Sequence, residues 1–181
     1  MALRNVLTDE NPALHKVCRP YTEFGPRLHQ LLDDMIETLI DADGVGIAAP
    51  QVGIIRRACI VMETNVAEGE EPYFIELINP EIVLAEGEQE GAEGCLSFPG
   101  RFGIVCRPEH VVVKALDRNG EPFEVEGHGL TARAFCHEID HLDGVVFVEK
   151  ATHMLTDEEL AQLRGDDDED ADEELDGETA E

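Results

Sequence analysis

Residues 131–142 read Thr131-Ala132-Arg133-Ala134-Phe135-Cys136-His137-Glu138-Ile139-Asp140-His141-Leu142. Phe135, Ile139 and Leu142 recur at the spacing of one helical face, which predicts a helix with one side in the core. The two histidines are four residues apart and therefore project from a common face of that helix. The segment thus predicts a central helix with an apolar face in the core and with both histidines on a common face.

The motif within this helix, His-Glu-x-x-His, is typical of a metal site. Imidazoles at i and i+4 can bind one ion together, and Glu138 is placed to reach a water molecule at that ion. A catalytic site of this kind needs three protein ligands and one open position. The sequence therefore requires a third ligand besides His137 and His141.

Several residues compete for the role of third ligand. The longer metalloprotease pattern places a histidine where this chain has Phe147, so that pattern fails. A downstream acidic residue is a second candidate for the third ligand, and the acidic residues available are Glu149, Glu158 and Glu159. Cys95, which follows a glycine beside a strand-like stretch, offers a third route because a thiolate there can approach an ion closely.

The rest of the chain predicts one helix followed by several antiparallel strands. Residues 26–43 have helical periodicity, with Pro26 at the first position and Gly44 as the stop. Strands are predicted at 54–61, 73–78, 82–85, 110–117 and 123–126. Asn119-Gly120 predicts a type I′ hairpin turn, and Thr156 with Glu159 predicts a capping box for a short helix that ends near Arg164. The order indicates an α+β fold, with antiparallel sheets packed around the central helix.

The charge of the chain excludes some partners. Of its 181 residues, 41 are acidic and 13 are basic, for a net charge of −28. Proteins that bind nucleic acid or anionic membranes carry clustered Lys and Arg, so neither partner is expected. The sequence has no apolar run long enough to span a bilayer and no signal peptide at its start. A cytoplasmic protein is expected.

The acid is concentrated at the C-terminal end. Residues 166–181 contain 11 acidic residues and no basic one. A like-charge run of this density is expected to stay disordered. We therefore predict a catalytic domain over residues 1–164 and a disordered acidic tail over residues 165–181.

Five scattered cysteines, an odd number, make a poor disulfide framework.

Three segments, in their order and spacing, resemble the peptide deformylase family. They are Gly44-Val45-Gly46-Ile47-Ala48-Ala49-Pro50-Gln51, Glu93-Gly94-Cys95-Leu96-Ser97 and His137-Glu138-Ile139-Asp140-His141. The resemblance runs from about Val6 to about Leu155. It implies an enzyme that removes the formyl group from the N-terminal methionine of newly made polypeptides and releases formate.

The resemblance also implies roles for individual residues. Cys95, His137 and His141 hold one divalent ion, with Fe²⁺ expected physiologically and Zn²⁺, Ni²⁺ or Co²⁺ also suited to the ligands. Glu138 takes the proton of the attacking water and passes it to the leaving amine. The resemblance further assigns the oxyanion donors to the backbone N–H of Leu96 and the side-chain amide of Gln51, and contact with the substrate peptide to Gly46.

Some features depart from the family pattern or leave alternatives open. The family commonly has Gln at the position of Cys136. The Cys136 thiol is expected either to pack in the core or to lie near the metal as a second thiol. Some members carry a basic C-terminal helix that meets the ribosome, and because the C-terminus here is acidic, that docking mode is not expected to transfer. Asp140 pairs either with Arg107 behind the metal site or in a surface salt bridge.

Two other functions compete with deformylation. The first is a zinc endopeptidase of the His-Glu-x-x-His type, which requires a downstream acid or histidine as third ligand. The second is an inactive relative that binds its ligand without turnover. The intact set of Gln51, Cys95, His137, Glu138 and His141 argues against the second.

Overall fold

A computed structural model describes residues 2–67 and 69–163 of the chain. The helices are α1 (Pro26–Asp41), α2 (Gly129–Leu142) and the single turn α3 (Phe147–Lys150), with 3₁₀ turns at Pro12–His15 and Ala49–Val52. The strands are β1 (Gly46–Ala48), β2 (Ala58–Glu63), β3 (Tyr73–Glu86), β4 (Gln89–Gly94), β5 (Phe102–Arg107), β6 (His110–Leu116), β7 (Pro122–His128) and β8 (His153–Met154).

Two antiparallel sheets surround α2, as the sequence predicts. One has five strands in the order β1-β2-β3-β6-β7, and the other has three in the order β4-β5-β8. Helix α2 contacts β1, β2, β6 and β7 of the first sheet and β5 of the second. Phe135, Ile139 and Leu142 are all buried there. The predicted α+β fold is therefore confirmed, and the central helix meets both sheets.

Helix α1 begins at Pro26 as predicted but ends two residues early, at Asp41. The left-handed residue at its end is Asp43, with φ +50°, rather than the predicted Gly44. The N–H of Gly44 donates to the carbonyl of Leu39 at 3.1 Å, which closes a Schellman-type end. Gly44 is needed for space instead, since a Cβ there would lie 2.8 Å from Leu39 Cδ1.

The two short strands predicted at 73–78 and 82–85 form the single strand β3, so the predicted break is wrong. Between Ile78 and Glu81 the pairing with β6 shifts by one residue, which is a β-bulge. Asn79 adopts a left-handed φ of +52°, and Pro80 brings no N–H to the ladder. The Asn79 side chain also pairs with the backbone N–H and C=O of Tyr21. Asn79 and Pro80 therefore bend the strand without ending it.

The predicted hairpin is present as β6 and β7, but its turn is not type I′. A type I′ turn requires positive φ at both central residues. Gly120 has φ +86°, whereas Asn119 is not in the left-handed region. Gly120 N–H donates to Asp117 O, and Asp117 N–H donates to Glu121 O. The connection is therefore a longer loop with a glycine bulge, which Asp117 organises by accepting from Asn119 N and Glu121 N.

Strand β2 also starts later than predicted, at Ala58 rather than residue 54. Ile54 N–H donates to Ala49 O and Arg56 N–H donates to Ile54 O, so the backbone turns before the strand begins. The capping box is confirmed: Thr156 N donates to Glu159 Oε2 at 2.8 Å, and Glu159 N donates to Thr156 Oγ1 at 3.3 Å.

The helix after this cap occupies residues 157–163, and its predicted end near Arg164 lies outside the described residues. The predicted tail over 165–181 also lies outside them. No helix among residues 2–67 and 69–163 is both long and apolar enough to cross a membrane.

Candidate metal centre and active site

Three side chains from distant parts of the chain converge at one end of α2. The ligand atoms of Cys95, His137 and His141 all lie within 4.8 Å of one another. Cys95 Sγ is 3.3 Å from His141 Nε2, although 46 positions separate the two residues. Both imidazoles are buried. The structure therefore brings Cys95, not a downstream acid, to the histidine pair.

The local structure explains how each residue reaches this point. His137 and His141 project from successive turns of α2. Cys95 follows Gly94, the last residue of β4. A Cβ added to Gly94 would lie 2.6 Å from a ring carbon of Phe102. Only glycine therefore fits between that ring and the turn that presents the thiol.

Glu93 organises the back of the centre, a role that the sequence analysis did not assign to it. Its Oε2 accepts from His137 Nδ1 at 3.0 Å, which leaves His137 Nε2 for the centre. Both its oxygens accept from Arg107, at 2.8 and 2.9 Å, and Oε1 also accepts from Arg133 at 2.9 Å. Such a carboxylate fixes the orientation of a ligating histidine and raises its basicity.

The electrostatics of Glu93 agree with an ionised side chain. Burial raises the pKa of Glu93, but the hydrogen bonds and charges of Arg107 and His137 outweigh it and hold the pKa well below its ordinary value. Arg107 also donates to Asp140 Oδ2 at 2.5 Å. The pairing of Asp140 with Arg107 is thus observed, and Asp140 faces Arg107 and Lys150 rather than the centre.

Glu138 is the buried acid beside the centre, with 3% of its surface exposed. Burial is the largest influence on this carboxyl and raises its pKa to about 7. Its Oε2 has no hydrogen-bond partner among residues 2–67 and 69–163. A carboxyl with a pKa near neutrality can both accept and return a proton under physiological conditions.

Gln51, Leu96 and Gly46 line the same cleft, which encloses about 500 Å³. Gln51 Nε2 donates to Ser97 Oγ at 3.2 Å and to Cys95 Sγ at 3.4 Å, while its Oε1 accepts from Ala48 N. Leu96 lies in the turn directly after Cys95. All the sequence-predicted site residues therefore line one cleft except His141, which contacts the Cys95 thiol.

The donor set fits a divalent transition-metal ion. His141 Nδ1 is buried with no hydrogen-bond partner in the described part of the chain, and Nε2 faces the thiol. Burial lowers the pKa of His137, but hydrogen bonds with Cys95 and Glu93 outweigh it and raise the pKa to about 10. Burial and the charge of His137 lower the pKa of His141 well below its ordinary value. A cation that binds here would displace the proton that His137 holds.

The other candidate ligands lie elsewhere. Glu149 is at the surface, 3.3 Å from His15, and Glu159 pairs with Thr156 and His153. Phe147 instead packs its ring against that of His137, with centroids 6.1 Å apart. Cys136 belongs to the buried apolar cluster, and burial raises its pKa, so it is a packed thiol.

Gly46 provides a geometric prediction about Glu138. A Cβ at residue 46 would lie 2.5 Å from Glu138 Oε1 and 2.8 Å from its Cγ. We expect Gly46→Ala to displace this carboxyl and lower kcat at least about tenfold, as small misplacements of catalytic groups do. Gly25→Ala is the control, because a Cβ there meets nothing within 4 Å. Equal kcat values for both variants would contradict the prediction.

Comparison with known proteins identifies the family. The model of the family described as polypeptide deformylase matches residues 3–156. The chain belongs to this family. All three motifs of the deformylase resemblance lie inside the matched range, so the predicted membership is confirmed.

Individual deformylases are similar over most of their length. The peptide deformylase of Lachnoclostridium phytofermentans is 55% identical over 150 residues, which are 83% of this chain and 90% of that protein. Peptide deformylase 1 of Bacillus subtilis is 46% identical over 165 residues, 91% of this chain and 100% of that protein. The crystal structure of the Thermotoga maritima peptide deformylase superposes with a TM-score of 0.76 at 37% identity, covering 84% and 99% of the two chains.

These comparisons establish the activity. As a deformylase, the chain is a metal-dependent hydrolase that removes the formyl group from the N-terminus of newly made polypeptides. The comparisons give no support to the zinc endopeptidase, and the position of Cys95 agrees with that outcome.

Proposed function

We propose that Cys95, His137 and His141 hold the metal ion of this deformylase and that Glu138 moves the proton during deformylation. The observation that carries the proposal is the convergence of the three ligand atoms within 4.8 Å, beside a buried carboxylate oxygen that no described residue contacts by a hydrogen bond. The ion, when bound, supplies Lewis acidity that polarises the formyl carbonyl and acidifies water.

The proton transfers fall to Glu138. Its carboxylate accepts a proton from the water that adds to the formyl carbon. It then donates that proton to the methionine nitrogen as the C–N bond breaks, so formate and a free amine leave. A pKa raised to about 7 suits both steps, since the group is neither too weak a base nor too weak an acid near neutral pH.

Gln51 and Leu96 are proposed to stabilise the charge that develops on the formyl oxygen. The amide Nε2 of Gln51 is held next to Cys95, and Gln51 Oε1 is anchored by Ala48 N–H, which fixes the direction of the donor. The backbone N–H of Leu96 follows the metal ligand directly. Donors that are held in place before the reaction stabilise such charge without reorganisation.

The substrate is proposed to lie along Gly46 with its formyl end at the centre. A structure of the Acinetobacter baumannii relative is described as Met-ala-ser bound, and it superposes with a TM-score of 0.76 at 38% identity over 82% and 98% of the two chains. Gly46 begins β1, which is an edge strand of the five-stranded sheet and offers backbone groups to an added peptide strand.

We further propose Fe²⁺ as the physiological ion and the cytoplasm as the location. The thiolate and imidazole ligands also suit Zn²⁺, Ni²⁺ and Co²⁺, so the choice of Fe²⁺ rests on the family resemblance. The location follows from the substrate, which is a nascent chain. Proximity to the ribosome is proposed for the same reason. Docking through a basic C-terminal helix is not proposed, because residues 166–181 are acidic.

The ligand set is tested by metal content and formate release together. Iron-loaded protein, handled without oxygen, is expected to release formate from formyl-Met-Ala-Ser. Cys95→Ala is expected to lose bound metal and activity, whereas Cys106→Ala, at an exposed cysteine of β5, keeps both. Unchanged metal content in Cys95→Ala would move the third ligand elsewhere.

Gln51→Glu tests the oxyanion donor separately from the fold. The carboxylate can still accept from Ala48 N–H, but it offers no amide hydrogen to the substrate. We expect kcat to fall about 10²–10³-fold, the cost of one such donor in other acyl-transfer enzymes. Thermal unfolding checks that the variant remains folded, and a kcat within a few-fold of the parent would remove Gln51 from the proposal.

A further inference from the structure

A second group of metal-ligating side chains lies outside the cleft, on the five-stranded sheet. His110 begins β6 and His128 ends β7, and the two residues are direct partners across the ladder. Glu126 precedes His128 by two residues and therefore projects from the same face. One ligand atom from each of the three lies within 4.8 Å of the others.

This group faces away from the catalytic centre. Val111, next to His110, is fully buried, and a Cβ on Gly127, next to His128, would lie 2.8 Å from a ring atom of Phe135 on α2. Since neighbouring residues of a strand point to opposite faces, His110, Glu126 and His128 lie on the side of the sheet that α2 does not cover. A ligand bound there would be independent of Cys95, His137 and His141.

The contacts of His110 resemble those of a metal ligand. Its Nδ1 is 3.6 Å from Glu86 Oε2, and its Nε2 is 3.6 Å from Glu126 Oε2. The Nε2 atom is buried and makes no hydrogen bond with any described residue. The ring stacks on that of His128, with centroids 4.2 Å apart and planes at 6°. Glu86 lies just beyond hydrogen-bond distance of Nδ1, so a small movement of this carboxylate would give His110 the usual surroundings of a ligating histidine, with a carboxylate on one nitrogen and the other nitrogen beside a second donor.

We propose that His110, His128 and Glu126 bind a second divalent transition-metal ion, of the Zn²⁺ class, with Glu86 orienting His110. Two imidazoles and one carboxylate are a set that Zn²⁺ accepts, leaving the fourth position to water. Metal–ligand distances of about 2.0–2.1 Å put two ligand atoms roughly 3.3 Å apart in tetrahedral geometry. The 3.6 Å between His110 Nε2 and Glu126 Oε2 is close to this value, whereas one of the two parallel rings has to rotate out of the stack before both imidazoles can bind one ion.

Such an ion would link β6 to β7 directly before the catalytic helix begins. His128 is the residue directly before Gly129, the first residue of α2. An ion that binds the folded chain and not the unfolded one stabilises the fold by mass action. The net charge of −28 favours the approach of cations from solution.

The test uses the full chain with one equivalent of Ni²⁺ in its catalytic centre, dialysed against micromolar Zn²⁺. We expect a second equivalent of metal by elemental analysis and a rise in Tm on zinc addition. His128→Gln and Glu126→Gln are each expected to lose the second equivalent and the rise in Tm, and to keep formate release. Glu124→Gln, at an exposed acid of the same strand and face, is the matched control and keeps both.

Ring ¹⁵N shifts of His110 and His128 in NMR spectra provide an independent measurement. We expect both rings to respond to zinc in the parent protein. No second equivalent in the parent protein would overturn the proposal. A second equivalent that both variants retain would also overturn it, since the ion would then be bound elsewhere, for example by the acids of residues 166–181.

Discussion

Glu138→Gln is expected to lower kcat for formyl-Met-Ala-Ser by about 10⁴-fold, the upper end of the range for general acid–base catalysis, because this side chain serves in two proton transfers. Glutamine has nearly the same shape but cannot take a proton from water or return one to the amine. Burial raises the pKa of this carboxyl to about 7, and its Oε2 has no hydrogen-bond partner within residues 2–67 and 69–163, so the amide should fit without a large loss of stability.

The measurement pairs kcat with metal content, since only a proton-transfer role leaves the metal in place. We expect Glu138→Gln to bind one equivalent of metal with activity almost abolished. Glu149→Gln is the control, because that acid is exposed and contacts His15 rather than the centre. If Glu138→Gln lost its metal as well, Glu138 would be a residue that maintains the site rather than the one that moves the proton.

Glu93→Gln is expected to produce the largest loss of stability. The buried carboxylate of Glu93 forms ion pairs with Arg107 and Arg133 and accepts from His137. Removing one member of a buried ion pair typically costs about 3–5 kcal/mol, because the remaining charges stay buried. For a chain of this size we expect Tm to fall by about 6–20 °C. Metal affinity should fall by about 10–100-fold, the usual effect of losing a partner of a ligating histidine.

Thermal unfolding and competition with a chelator measure these two effects. Glu90→Gln is the matched control, since Glu90 lies on the same strand β4 and is exposed. Arg107 keeps its contact with Asp140 in the variant, so Arg133 carries most of the uncompensated charge. A Glu93→Gln protein as stable as the Glu90→Gln protein would show that the remaining partners of the two arginines are sufficient, namely Asp140 for Arg107 and the carbonyl of Val105 for Arg133.

Local patterns were reliable where one segment contains the whole signal. The apolar stripe of residues 131–142 predicted a buried helix, and Thr156 with Glu159 predicted the capping box that the structure contains. The same reasoning failed where backbone detail depends on neighbouring strands. Asn79-Pro80 suggested a break between strands, yet pairing with β6 on both sides carries the chain through a bulge.

Glu93 shows why part of the site could not be predicted from the sequence. The sequence places it beside Cys95, but its partners Arg107, Arg133 and His137 lie 14, 40 and 44 positions away. The motif Glu93-Gly94-Cys95-Leu96-Ser97 includes this glutamate, but no neighbouring residue indicates which side chains it contacts. The pair His110 and His128 is similar, because their contact depends on the register of β6 and β7.

The spacing of His137 and His141 in one helix determined from the sequence alone that two imidazoles share a face, because helical geometry relates i to i+4. The three family motifs, through their order and spacing along the chain, also indicated deformylation. Only the tertiary structure decided that the Cys95 thiol lies against that pair and that Glu93 holds His137 from behind. Those contacts depend on how β4 packs against α2, and this packing is set by the whole core rather than by any single segment.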